Sequence, residues 1–218
     1  IDNVVIDPDD PDPKRRYKGF YGVDGRRPMV SPDGIHWTLL KTAVLPSSDE
    51  SNMSYDRATN TFIATLKRGG PFGRSHRIWT SHDFTKWSDT GVLFHADELD
   101  QQLAKKNIDA RLSNPKLQQP VKNVPADYNA DIYNFGVFRY EGFYIGMPAV
   151  YHATGKLEAN TDGFQLIQLA CSRDLKQWTR LGDRQPFIGP SPVGPDVFDR
   201  TQLLPPSAPV EHGDELWF

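Results

Sequence analysis

Ser31-Pro-Asp33-Gly-Ile-His-Trp37, Ser81-His-Asp83-Phe-Thr-Lys-Trp87 and Ser172-Arg-Asp174-Leu-Lys-Gln-Trp178 share one pattern: Ser, any residue, Asp, three residues, Trp. Each follows an alternating strand-like run (Arg27 to Val30, Arg77 to Thr80, Gln165 to Cys171). Each precedes a second short one (Thr38 to Leu40, Gly91 to Phe94, Thr179 to Leu181). A Ser hydroxyl and an Asp carboxylate two residues apart can bond nearby backbone N–H groups and close a tight turn. The Trp that follows can lay a large apolar face on a neighbouring sheet. These Asp and Trp residues therefore read as structural.

Upstream of each pattern lies another hairpin. Asn3 to Ile6 and Tyr17 to Val23 flank the Asp/Pro-rich loop Asp7 to Pro13. Asn52 to Tyr55 and Phe62 to Leu66 flank Asp56 to Asn60, and Asp131 to Tyr140 and Phe143 to Val150 flank Glu141-Gly142. The unit is four antiparallel strands, a propeller blade. The reading is an all-β chain, one propeller domain over 1–218, with blades at about 2–40, 49–94 and 131–181. A fourth blade, 199–218, is expected to be incomplete because the chain stops within a strand-like run, so the chain reads as a fragment of about three and a half blades.

The interval from Asp83 to Asp174 exceeds that from Asp33 to Asp83 by roughly 40 residues. The insertion, 95–126, holds Leu99, Leu103, Ile108 and Leu112 at near-helical spacing, with Asp97 and Glu98 early and Lys105 and Lys106 late. That arrangement predicts a helix over 96–112, forming either a surface excursion or a wall of the channel mouth.

Composition sets broad limits. The net charge of −3 argues against a nucleic-acid binder, and no apolar run is long enough for a spanning helix. The single Cys171 sits in an apolar run and reads as a buried thiol. The Gly69 to Gly73 run lacks the Lys and Ser/Thr of a phosphate loop, and no His/Cys/Asp set has transition-metal spacing. No cofactor is implied beyond a calcium ion that an acid-lined channel could accept.

In a propeller the first strand of each blade faces the axis, so residues at the starts of those strands converge. Asp2, Asp49 with Glu50, Asp131 and Asp199 occupy such positions, accompanied by Asn3, Asn52, Tyr133, Asn134, Arg200, Thr201 and Gln202. Arg68, Arg74 and His76 beside the Gly-Gly-Pro turn, and His152 after Tyr151, could also line the mouth or belong to loops and turns. Cleavage of a glycosidic bond needs two carboxyl groups, and clustered acids can divide the roles because neighbouring negative charges push their pKa values apart.

The Ser-x-Asp-x-x-x-Trp hairpins with Asp-headed inner strands resemble the five-bladed propellers of glycoside hydrolase families 32, 43 and relatives. Asp49 to Asp56 and Phe198 to Gln202 look closest to a bacterial branch related to family 32. Sialidase-type propellers fit less well, since their hairpin carries one more residue between Asp and Trp. The resemblance implies three acids on three blades: a nucleophile or base, a charge modulator and a general acid. The Asn-Asp-Pro, Arg-Asp-Pro and Glu-Cys motifs of family 32 are absent; the resemblance implies the modulator at Asp49 and the general acid at Asp131, where Glu is usual.

The expected function is therefore a glycosidase acting on an oligo- or polysaccharide, with Asp49, Asp131 and Asp199 catalytic. Glu50, Asn52, Arg68, Tyr133, Asn134, His152 and Arg200 are expected to bind substrate. The resemblance also implies an extracellular or periplasmic bacterial protein. The alternatives are a carbohydrate-binding propeller that cleaves nothing and a protein-interaction propeller.

Overall fold

The computed structural model describes residues 2–218. The first sheet holds β1 (Asp2–Ile6), β2 (Tyr17–Tyr21), β3 (Arg27–Ser31) and β4 (Thr38–Leu39) in that order, all antiparallel. The second holds β5 (Ser51–Asp56), β6 (Thr61–Gly70), β7 (Gly73–Ser81) and β8 (Ser88–Phe94) in the same meander. In the third, β9 (Asn129–Tyr140) pairs β10 (Phe143–Lys156), whose other edge takes β11 (Thr161–Ile167), then β12 (Ala170–Ser172), followed by β13 (Thr179–Arg180). The third strand of this blade is thus broken in two. The break faces Pro148, which has no N–H to offer a ladder and whose carbonyl accepts from Gln168 N at 3.0 Å.

The three Ser-Asp-Trp turns are built alike. Ser81 Oγ accepts from Asp83 N (3.3 Å) and Phe84 N (2.9 Å), while Asp83 Oδ1 accepts from Thr85 N and Lys86 N (2.8 Å each). Ser31 with Asp33 and Ser172 with Asp174 repeat the pattern. The residue after the Asp is left-handed each time: Gly34 (φ 78°), Phe84 (φ 60°) and Leu175 (φ 62°). Glycine takes that conformation freely; Phe84 and Leu175 take it while burying their side chains in the core.

The core lies between successive sheets. Phe20 and Val30 of the first sheet meet Phe62, Phe84 and Trp87 of the second, with ring centroids of Phe20 and Trp87 5.5 Å apart. Phe94 of the second sheet stacks on Phe135 of the third at 4.1 Å, and Trp178 packs edge-on against both. Near the axis the first two strands of the second sheet reach β9 through side-chain bonds. Ser54 Oγ donates to Val137 O and Thr65 Oγ1 to Phe135 O, both at 2.5 Å. This is a propeller arrangement of three blades.

Two expectations need correction. First, no strand begins at Asp199. Residues 199–209 run as extended coil, and the last elements are the hairpin β14 (Val210–His212) and β15 (Glu215–Trp217). Pro205 and Pro206 carry no N–H, and the segment is held instead by Gln165 N to Thr201 O (2.9 Å), Leu203 N to Gln165 Oε1 (2.6 Å) and Met53 N to Ser207 Oγ (3.2 Å). It passes so close to β9 that a Cβ on Gly136 would sit 2.2 Å from Pro206 O.

Second, of the two places expected for the insertion's helix, α1 (Glu98–Leu112) does not take the wall of the channel mouth. Its buried residues are Asp100, Ala104, Ile108 and Arg111. Asp97 and Asp100 form a reciprocal cap at its N-terminus, and Asp100 also pairs with Arg180 (3.1 Å) and Arg184 (3.0 Å), which draws that face inward. The helix packs on β9 and β10 beside Phe164 and Leu166, and none of its residues lines the cavity at the axis. No helix among the described residues is long and apolar enough to cross a membrane.

The Asp83 turn is open to test. Its carboxylate is pushed up by partial burial, but the Lys86 and Thr85 N–H bonds outweigh this and hold its pKa at about 2. Asp83→Ala should cost about 1–2 kcal/mol in urea unfolding at neutral pH. The difference from the parent should shrink as pH falls below 3.8 towards 2, because a lowered carboxylate contributes stability only while ionised.

Candidate functional site

The starts of β1, β5 and β9 do converge at one end of the axis. A cavity of about 550 Å³ opens there, lined by Asp2, Asn3, Arg26, Asp49, Glu50, Asn52 and Asn134, with Leu204 to Ser207 along one side. Asp49, 59 % exposed at its side chain, has φ 60° and points into the mouth beside Glu50.

A cation missed in the sequence, Lys67, organises this pair. Its buried ammonium bonds Asp49 Oδ2 at 2.9 Å and Glu50 Oε2, and lies 4.1 Å from the ring centroid of Tyr133. Arg26, also buried, donates from Nε to Ser51 Oγ (2.7 Å), from Nη2 to Asp49 O and from Nη1 to Asp2 Oδ2 (3.4 Å). A hydrogen bond from Glu50 lowers the pKa of Asp49, with Lys67 and Arg26 acting in the same direction against burial.

Asp131 lies one layer deeper. It is buried on β9, where its Oδ2 accepts from Arg74 Nε at 2.8 Å and Arg74 N at 3.3 Å, while its Oδ1 is buried without a partner. Burial raises its pKa, and Arg74 only partly offsets the effect. Gly73 (φ 114°) allows this approach, since a Cβ there would come within 2.9 Å of Asp131 Oδ2. The Arg74 guanidinium lies over both the Tyr133 (4.6 Å) and Tyr151 (4.5 Å) rings. Burial first, then Glu50, lifts the Tyr133 hydroxyl to about 12. Tyr133 thus joins the two carboxylate groups through the cations on its ring.

Asn52 and Asn134 are buried together. With the Asn52 amide turned to suit its neighbours, Nδ2 donates to Asn134 Oδ1 at 2.9 Å and Oδ1 accepts from Gly136 N at 3.2 Å. Arg68 sits half-buried on the β6–β7 hairpin opposite Ser75.

Three expected residues lie elsewhere. Asp199 accepts from Ser191 Oγ at 2.7 Å, in the coil where a strand was expected. The Arg200 side chain donates to Val197 O (2.9 Å) and Gly194 O (3.2 Å) of its own loop. His152 is fully buried, facing α1 rather than the axis. Its Nδ1 donates to Val150 O (3.0 Å), its Nε2 accepts from Asn107 Nδ2 (3.0 Å), and its ring stacks on Phe164. His76 is likewise buried against Tyr133 O.

No group of three or more His, Cys, Asp or Glu among the described residues could hold a metal ion. The acids of the Asp7 to Asp12 loop surround the buried ammonium of Lys18, which bonds Asp7 Oδ2 (2.8 Å), Asp10 Oδ2 (2.9 Å) and Arg15 O (2.8 Å). A larger cavity of about 710 Å³ lies between α1 and the outer strands of the second and third sheets, away from the carboxylates at the axis.

No protein-family model matches the chain, and no curated protein does. Among solved structures, one named "The GH130 family of mannoside phosphorylases contains glycoside hydrolases that target beta-1,2 mannosidic linkages in Candida mannan" is similar at 17% identity and a TM-score of 0.40. The likeness covers 80% of this chain, which spans 47% of that one.

The two buried histidines give the protein an acid limit. Desolvation holds His76 and His152 at about 4, below the ordinary 6.5. The unfolded chain therefore binds more protons between these values, and stability should be full above pH 6.5 and fall by roughly a few kcal/mol per histidine towards pH 4. Urea midpoints across that range should show the slope, and His152→Gln should remove about half of it.

Proposed function

We propose that the axial mouth is a carbohydrate site and that the protein is a glycoside hydrolase. The observation that carries the reading is a pair of carboxyl groups in unlike surroundings, Asp49 exposed beside Lys67 and Asp131 buried with one oxygen unpartnered. Asp49 is kept ionised at an open cavity, and Asp131 is biased towards its protonated form by burial. Such a division is what glycosidic cleavage requires: one acid gives its proton to the departing oxygen while the other carboxylate attacks the anomeric carbon or activates water. Asn3, Asn52 and Asn134, with Ser207, supply neutral donors and acceptors suited to sugar hydroxyls. Asp199 has no part in this reading, because it sits with Ser191 outside the cluster. Lys67 and Arg74 take the role of positioning residues, holding Asp49 and Asp131 respectively.

A second reading, a propeller that binds carbohydrate without cleaving it, draws on a specific feature. Both mouth carboxylates are already engaged by Lys67, and Asp131 by Arg74, so each carboxylate has a cationic partner within the protein.

Sugar release from a broad panel of oligo- and polysaccharides separates the two. The hydrolase reading expects release that drops about 10²–10⁴-fold in Asp49→Asn and in Asp131→Asn while glycan affinity is retained. Glycan binding with no release by the parent protein would establish the second reading instead.

A further inference from the structure

The 95–126 insertion builds a further cavity, of about 370 Å³, with the β10–β11 hairpin and the coil around residue 200. It lies at the same end of the sheets as the axial mouth, because the last residues of β10 pair with the first of β9. Arg111, at the end of α1, lines it although the residue is only 4 % exposed. Its guanidinium stacks on Phe164, 4.5 Å from the ring centroid, and donates from Nε to Gln118 O and from Nη2 to Arg200 O, both at 2.9 Å.

Both acceptors are neutral. Among the described residues no carboxylate is paired with this buried cation. Arg200, which also lines the cavity, likewise gives its side-chain bonds to the carbonyls of Val197 and Gly194. The one carboxylate in the lining, Asp162, is occupied by backbone: Oδ2 accepts from Lys122 N (2.6 Å) and Oδ1 from Gly163 N (2.9 Å). A charge removed from water and bonded only to carbonyls is poorly compensated, and burial accordingly pulls the pKa of Arg111 down, with Asp162 opposing. A guanidinium beside an open cavity matches the planar fork of an oxyanion. Phe198, 94 % exposed, stands on the same rim and offers a flat apolar face.

We propose that this cavity is a second binding site, a receptor for the oxyanion of a small organic acid. Arg111 and Arg200 hold the anion, and Phe198 covers the apolar face of the molecule that carries it. The assignment stands on these residues alone; combined with the reading of the axial mouth, it makes an acidic saccharide the ligand class.

Titration of the ¹⁵N-labelled protein with glucuronate, sulfate and glucose tests it. Glucuronate and sulfate should shift the Arg111 Nε–H and the Gly163 and Thr201 amides saturably, while glucose at the same concentrations leaves them in place. Arg111→Lys should weaken both anions by about tenfold or more. Arg200→Gln should weaken them too, and covers the case in which Arg111 variants fold poorly. Phe198→Ser, at an exposed position, should weaken glucuronate and leave sulfate unchanged. Equal shifts with glucose, or parent-like sulfate binding in Arg111→Lys and Arg200→Gln, would overturn the proposal. Because the readout is binding, absence of sugar release would count against the hydrolase reading only. Sugar release with no anion-induced shift would count against this site only.

Discussion

Apolar contact between the faces of neighbouring sheets is the constraint from which the rest of the architecture follows. Phe20 against Trp87, and Phe94 against Phe135 and Trp178, set the separation of successive blades. Once that separation is fixed, the first strands lie near enough for Ser54 and Thr65 to reach carbonyls of β9. Asn52 and Asn134 then meet, and the residues preceding β5 fall beside the start of β9. The Ser-Asp turns serve this packing by presenting the Trp, and Phe84 and Leu175 tolerate a left-handed backbone because the cavity they fill would otherwise be empty.

Electrostatics at the axis depends on the same closeness. Lys67 and Arg74 both lie on the face of Tyr133, each holding carboxylate on its other side. Each cation is attracted to the electron-rich ring, which offsets part of the repulsion between them. The carboxylates then differ in environment more than in partner. Asp49 keeps contact with water, and Asp131 loses it. Asp49 is lowered first by its hydrogen bond with Glu50, whereas Asp131 is raised by its burial on β9.

How much of this could be read in advance depended on the range of the interactions concerned. The blades were legible because each turn is closed by bonds within six residues, so Ser81, Asp83 and Trp87 carry their signal locally. The convergence of Asp49, Asn52 and Asn134 followed from strand order alone. Lys67 was missed because it ends the buried run Thr61 to Leu66; a lysine continuing the alternation of a core strand was the available sign. His152 was misplaced for a different reason: which side of β10 it faces matters only once α1 covers that side, and the docking of an insertion has no periodic signature. The helix itself was legible, but its inward face was not, because Asp100 is drawn in by Arg180 and Arg184, distant in the chain. Asp199 failed as a strand start because Pro205 and Pro206 cannot contribute to a ladder, a cue present in the sequence.

The loop from Asp7 to Asp12 illustrates how a chain can provide its own counter-ion. Lys18, 1 % exposed, sets a tethered ammonium among Asp7, Asp10 and the Arg15 carbonyl, with three oxygens at 2.8–2.9 Å. A dissolved ion in that position would have to be captured from the surroundings, and the loop's shape would vary with its concentration. A covalently attached one is present in every copy from the moment of synthesis. The first blade's connection is thereby insulated from the mineral composition of whatever medium the protein meets.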